Sequence, residues 1–264
     1  MTLFALLACG RAPLDLEAVH AAPGPHAFSS WEWALDDGLA AYAYVPDAED
    51  PAPVILFSNG SGTRAEQYQE LLEHLASWGF VVLACDDEQM GTGERAAALL
   101  ESAQLEADAG AFQADFSRVG AMGTSQGAGS SLNAHLLTQG QEVDIDTVLA
   151  NALPKPSLWS EEDTLEPSEI DTRLFIQSGA RDNIISPTRK NHEWLESTSG
   201  TGLVAHLRGA GHLEMGGDGG GHRGLATAWM RAELSGDPDA QSLFVEDGPL
   251  LESELWTDLL WVGR

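Results

Sequence analysis

Val119-Gly120-Ala121-Met122-Gly123-Thr124-Ser125-Gln126-Gly127-Ala128-Gly129 is a short apolar run that enters Gly-x-Ser-x-Gly and continues as a helix. Gly123 and Gly127 permit a turn so tight that a side chain at either position would obstruct it, and the turn forces Ser125 into a strained backbone geometry. Ser125 is therefore the candidate nucleophile. The flanks agree with a strand, turn and helix. Asp115 to Arg118 give a polar lead-in, Val119 to Met122 suit a buried strand, and Leu132, Leu136 and Leu137 recur at helical spacing.

Working outward, apolar strand-like runs alternate with helical periodicity along the chain, the signature of an α/β protein with a mostly parallel central sheet flanked by helices. Ser29 to Leu35 and Leu39 to Val45, separated by Asp36-Asp37-Gly38, predict an N-terminal antiparallel hairpin. Pro51 and Pro53 introduce the strand Val54 to Phe57, followed by the loop Ser58-Asn59-Gly60-Ser61-Gly62. Thr63 to Glu66 has the spacing of a capping box, and Tyr68, Leu71, Leu72, Leu75 and Trp78 follow at helical intervals up to Gly79. Strands are expected at Phe80 to Cys85, Thr147 to Asn151, Leu174 to Gln177 and, last, Leu203 to Leu207. Helices are expected at Ala96 to Ala109, Pro187 to Glu196, Ala226 to Leu234 and Glu252 to Trp261, with a Pro-containing loop at Leu153 to Glu169.

The chain has 264 residues, and 13 basic against 41 acidic residues give a net charge of −28. Such a field repels nucleic acid and anionic lipid surfaces, so neither is expected as a partner. Lys155 and Lys190 are the only lysines, a composition that suits a saline habitat or a coding bias toward arginine. Two cysteines, Cys9 and Cys85, exclude a disulfide framework. Met1 to Gly10 is a short apolar run ending in Leu-Leu-Ala-Cys, which resembles a lipoprotein signal. Residues 1–23 are accordingly expected to be a truncated leader and linker, with Cys9 as an N-terminal lipid anchor and the protein secreted or held in the cell envelope. Residues 24–264 then form one catalytic domain. No stretch approaches the roughly 20 apolar residues of a membrane span, and the eight histidines show no metal-ligand spacing.

In an α/β sheet, reactive groups gather at the carboxyl ends of strands. Asp182 follows the strand Leu174 to Gln177, and His212 follows Leu203 to Leu207 through a glycine-bearing loop. His74, His135 and His192 fall on predicted helices, His206 within a strand and His222 after a glycine run. Asp146 and Asp171 precede strands, at the opposite sheet edge. Ser125, Asp182 and His212 thus supply nucleophile, carboxylate and base in the chain order of α/β-hydrolases. A tetrahedral intermediate also needs amide donors, expected from the backbone N–H groups of Gln126 and Ser61.

On these residues the sequence resembles the polyester-hydrolase and cutinase group of α/β-hydrolases, related to dienelactone hydrolases, over about Gly24 to Phe244. Pro53 to Asp86 resembles that group's oxyanion loop, helix and strand, Val119 to Leu132 its nucleophile segment, and Gly179 to Pro187 its acid loop. Ala152 to Trp159 resembles its tryptophan-bearing substrate loop, and Ala228-Trp229-Met230 its closing helix. The resemblance implies an α/β-hydrolase fold, the triad Ser125, Asp182 and His212, and a substrate site bordered by Trp159 and Ser61. It implies a serine carboxylic-ester hydrolase without cofactor or metal, acting on small or polymeric esters, including polyesters such as poly(ethylene terephthalate). An amidase, peptidase or acyltransferase would use the same triad, and a binding lipoprotein on a hydrolase scaffold would use none. Ser61 and Gln126 stand where the group carries an aromatic residue and a methionine, so a more polar cleft is expected.

Overall fold

A computed structural model describes residues 13–263. Among the described residues nine strands form one sheet: β1 (Phe28–Ala34), β2 (Ala40–Pro46), β3 (Pro53–Ser58), β4 (Val81–Cys85), β5 (Asp115–Thr124), β6 (Thr147–Asn151), β7 (Arg173–Gly179), β8 (Thr201–Leu207) and β9 (Trp256–Val262). Their order is β1-β2-β4-β3-β5-β6-β7-β8-β9. β1, β2 and β4 pair antiparallel, the ladder from β4 through β8 is parallel, and β9 closes the far edge antiparallel to β8. The chain is an α/β protein with the expected hairpin at its start.

The alternation of side chains along each strand builds two cores. Ile55, Phe57, Val82, Ala84 and Met122 face one side, where α2 (Gln69–Ser77) and α6 (Arg223–Leu234) bring Leu71, Leu72, Leu75, Leu225 and Trp229. Val54, Leu56, Val81, Leu83 and Ala121 face the other, against Leu99 and Leu100 of α3 (Glu94–Asp108), Leu132 of α4 (Gln126–Thr138) and Trp194 of α5 (Thr188–Glu196). This is why β3 and β4 read as unbroken apolar runs: both faces are covered, and each fully buried Leu, Ile or Phe contributes about 1.5–3 kcal/mol. Leu105 and Leu137, which fit the helical spacing, point to solvent.

The structure departs from expectation at both ends. Within the segment read as a linker, Pro13–Ala21 forms helix α1, which lies on α6. Buried Glu17 accepts a 2.8 Å hydrogen bond from Trp256 Nε1, and the His20 ring stacks 4.9 Å from Trp78. Cys9 lies outside the described residues. At the other end, Glu252 to Trp261 is not a helix: Pro249–Glu252 is a single 3-10 turn and β9 follows. The β8–β9 register slips by one residue between Val204 and His206, with Asp258 at φ 52°. This bulge inserts one residue into the two-residue alternation, so Trp256 and Leu259 face one core while Leu260 and Val262 face the other. The resulting i, i+3, i+4 spacing of Trp256, Leu259 and Leu260 imitates a helix. A smaller shift concerns the capping box, where Gln67 Oε1 accepts the Arg64 N–H at 2.8 Å, one residue later than expected.

Candidate active site

Ser125 sits between β5 and α4 with φ 55° and ψ −123°, a region that non-glycine residues rarely occupy. Both neighbouring glycines are required by contact. A Cβ on Gly123 would overlap the Gly127 carbonyl, and one on Gly127 would overlap the carbonyl of Ser58 at the end of β3. The turn is held in place by the Ser125 N–H, which donates to Asn151 O on β6 at 2.9 Å.

Asp182 and His212 are delivered by loops that follow β7 and β8. The loops are tied to each other: Arg181 N–H donates to Ala210 O at 2.9 Å, and Gly179 has no room for a side chain beside Ala210. Asp182 is 6% exposed. Its Oδ2 lies 2.5 Å from His212 Nδ1, and its Oδ1 accepts the Ile185 N–H at 3.1 Å. Burial alone would raise the Asp182 carboxyl, but hydrogen bonds from His212 and from the amides of Ser186 and Ile185 outweigh it and hold the group below the usual carboxylate range. With Nδ1–H donated to this carboxylate, His212 Nε2 is free to accept the Ser125 hydroxyl, 3.0 Å away.

The remaining expected positions border the same serine. Gln126 is the first residue of α4, so its N–H is one of those a helix leaves without an intrahelical partner. The Ser61 N–H makes no hydrogen bond among the described residues, and the Ser61 hydroxyl donates to Gln126 Oε1 at 3.1 Å. Ser61, Gln126 and Trp159 line a cleft of about 200 Å3 beside Ser125, together with Pro154, Leu158 and Asp163. Trp159 is half-buried, anchored by Nε1–H to Pro154 O at 2.8 Å. A second cleft of about 500 Å3 opens on the His212 side, bordered by Tyr68, Leu213 and Gly216.

The other histidines are engaged elsewhere. His74 is buried on His20 O and Thr227, His135 on Ile145 O and Asp171, His206 on Asn191, and His222 against Trp256, while His192 meets Asp258 O. Burial lowers His74 and His206 to about 4 and His222 to about 3. Asp146 accepts from Val119 N–H at the opposite sheet edge. Among the described residues no three His, Cys, Asp or Glu side chains are grouped as metal ligands, and no helix is long and apolar enough to cross a membrane.

Several supporting residues carry no signal of their role in the sequence. Asn59 braces the loop before Ser61, donating from Nδ2 to Cys85 O at 2.6 Å and Asp87 O at 3.1 Å. Tyr68, whose spacing with Leu71 and Leu72 is that of a buried helix face, also accepts the Gly60 N–H on its hydroxyl at 3.3 Å. Asn133 Nδ2 holds the backbone oxygens of Gly91 at 2.9 Å and Asp163 at 3.0 Å, which brings a carboxylate into the smaller cleft. These are contacts across 8 to 42 residues of sequence, and no local pattern announces them. No protein-family model matches this chain, and no curated protein matches its sequence.

Proposed function

We propose that the chain is a serine hydrolase of carboxylic esters, of the α/β-hydrolase kind, working through an acyl-enzyme. The observation that carries this reading is the continuous line from Asp182 to His212 to Ser125, 2.5 and 3.0 Å per step, with the serine held at a strained elbow. Ser125 Oγ attacks the ester carbonyl as His212 Nε2 takes its proton, and Asp182 stabilises the imidazolium. The Gln126 and Ser61 amides receive the oxyanion. His212 then returns its proton to the departing alkoxide, so the alcohol part belongs in the larger cleft beside His212. The acyl part belongs in the smaller cleft beside Trp159. Water repeats the sequence in reverse to release the acid.

Two large apolar side chains that line these clefts stand open: Leu158 at 51% and Leu213 at 85% exposure. That rim favours substrates with apolar bodies, and it supports aliphatic esters, including polyester chains, as the substrate class. The test is a fluorophosphonate label followed by peptide mapping, with turnover of p-nitrophenyl esters of increasing acyl length. Labelling at Ser125 is expected, with kcat falling by roughly 10³-fold or more in a folded Ser125→Ala protein. No label at Ser125, or near wild-type kcat in Ser125→Ala, would overturn the reading.

A further inference from the structure

Among the described residues, Asp163 is the one ionisable side chain lining the acyl-side cleft. It does not belong to the triad, and it forms no ion pair among the described residues. It is nonetheless held firmly. Its N–H donates to Ser160 Oγ at 3.1 Å, its backbone oxygen accepts from buried Asn133, and its carboxylate packs on Gly91, where any Cβ would overlap it. On the cleft side Gln126 Nε2 reaches Asp163 Oδ2 at 3.5 Å, while Gln126 Oε1 receives the Ser61 hydroxyl. The residue after the nucleophile therefore links Asp163 to the oxyanion loop.

A carboxylate without a cation of its own, fixed in a cleft that also presents an indole, has the two features that recognise an organic cation: a counter-charge and a π face. The surrounding charge points the same way, since a net −28 draws cations toward the surface and the adjoining Glu161 and Glu162 are exposed. We propose that Asp163 selects esters whose acyl part carries a positively charged ammonium group, seated between Asp163 and Trp159. This rests on the ester-hydrolase reading for the assignment of the smaller cleft to the acyl part. Asp163 acts on substrate selection and takes no part in proton transfer.

The test uses two p-nitrophenyl esters of nearly equal shape, 4-(trimethylammonio)butanoate and its uncharged carbon analogue 5,5-dimethylhexanoate. The readout is the ratio of their kcat/KM values, compared between the wild type and Asp163→Asn so that the esters' own reactivities cancel. The ratio is expected to fall about tenfold in Asp163→Asn, and added salt is expected to shrink the wild-type ratio by a larger factor than the variant's, which keeps only the attraction of the general acidic surface. A merely structural role would lower both esters alike. An unchanged ratio in Asp163→Asn would overturn the proposal. If the wild type cleaves neither ester, the hydrolase reading is what fails, and calorimetric titration of Ser125→Ala with the two methyl esters decides the role of Asp163 alone. There, binding of the cationic ester about tenfold tighter than the neutral one, lost in Ser125→Ala/Asp163→Asn, supports it, and equal affinities overturn it.

Discussion

Gly127 packs its Cα against the carbonyl of Ser58, so closely that a β-carbon would occupy the oxygen's own space. This contact locks the first turn of α4 onto the end of β3, and with it the Ser125 turn onto the loop that carries Ser61. Gly127→Ala must push one of two backbones away, and overpacking of this kind costs about 1–3 kcal/mol. The expected result is a lower melting temperature together with a loss of ester turnover larger than the stability change explains, because the Gln126 and Ser61 amides move apart. Unchanged kcat in Gly127→Ala would show that the two loops need no such register.

The strain at Ser125 is separable from its chemistry. Both Ser125→Ala and Ser125→Gly remove the hydroxyl and its hydrogen bond to His212, but only glycine relaxes at φ 55°, ψ −123°. In ordinary strand or helix positions alanine is the more stable by about 0.5–1 kcal/mol. Here the order should invert, because a residue held in such a region costs about 1–3 kcal/mol. Urea unfolding of the two variants measures it, and an alanine variant as stable as the glycine variant would show the elbow to be unstrained.

Acid should destabilise the fold before it reaches the ordinary carboxylate range. His74, His206 and His222 are held neutral by burial, at about 4, 4 and 3, against about 6.5 for an unfolded chain. Above about pH 6.5 both states carry neutral rings. Between there and about pH 4 the unfolded chain binds protons that the native state refuses, so stability falls as pH falls, by on the order of 3 kcal/mol each for His206 and His222 over the full range. Asp182, held low, keeps its contribution until the pH falls through its depressed folded value. Glu17, raised by burial, works in the opposite sense and offsets part of the loss. Urea midpoints should decline steadily from pH 7.5 to about 4.5. A level profile would place these rings in contact with water.

Salt should act in the other direction. Surface ion pairs such as Arg95 with Asp37 and Asp87 contribute little, whereas a net charge of −28 repels itself throughout the compact state. Raising sodium chloride from about 0.1 to 1 M shortens the screening length from roughly 10 to 3 Å, and the melting temperature should rise. A melting temperature that falls over this range would mean that ion pairs outweigh the repulsion.

What the sequence alone determined is whatever is written in local spacing and polarity. Unbroken apolar runs marked β3 as a strand covered on both faces and β4 as the strand that follows, and two glycines around Ser125 marked a turn that only they could enter. The order of Ser125, Asp182 and His212, each just past a strand, sufficed to expect the three side chains to meet, because parallel strands deliver their carboxyl ends to one edge. The tertiary structure decided what depends on partners remote in the chain. β9 became a strand because the exposed edge of β8 offered hydrogen bonds, while its bulge at Asp258 disguised the alternation as a helical repeat. α1 found its place only through α6 and Trp256. Asp163, in an acidic run indistinguishable from a solvated loop, entered the cleft only because Asn133 of α4 captured its backbone oxygen. Local spacing fixes which residues can form an element; whether a side chain meets solvent, a core or a substrate is set by the surfaces that packing brings against it.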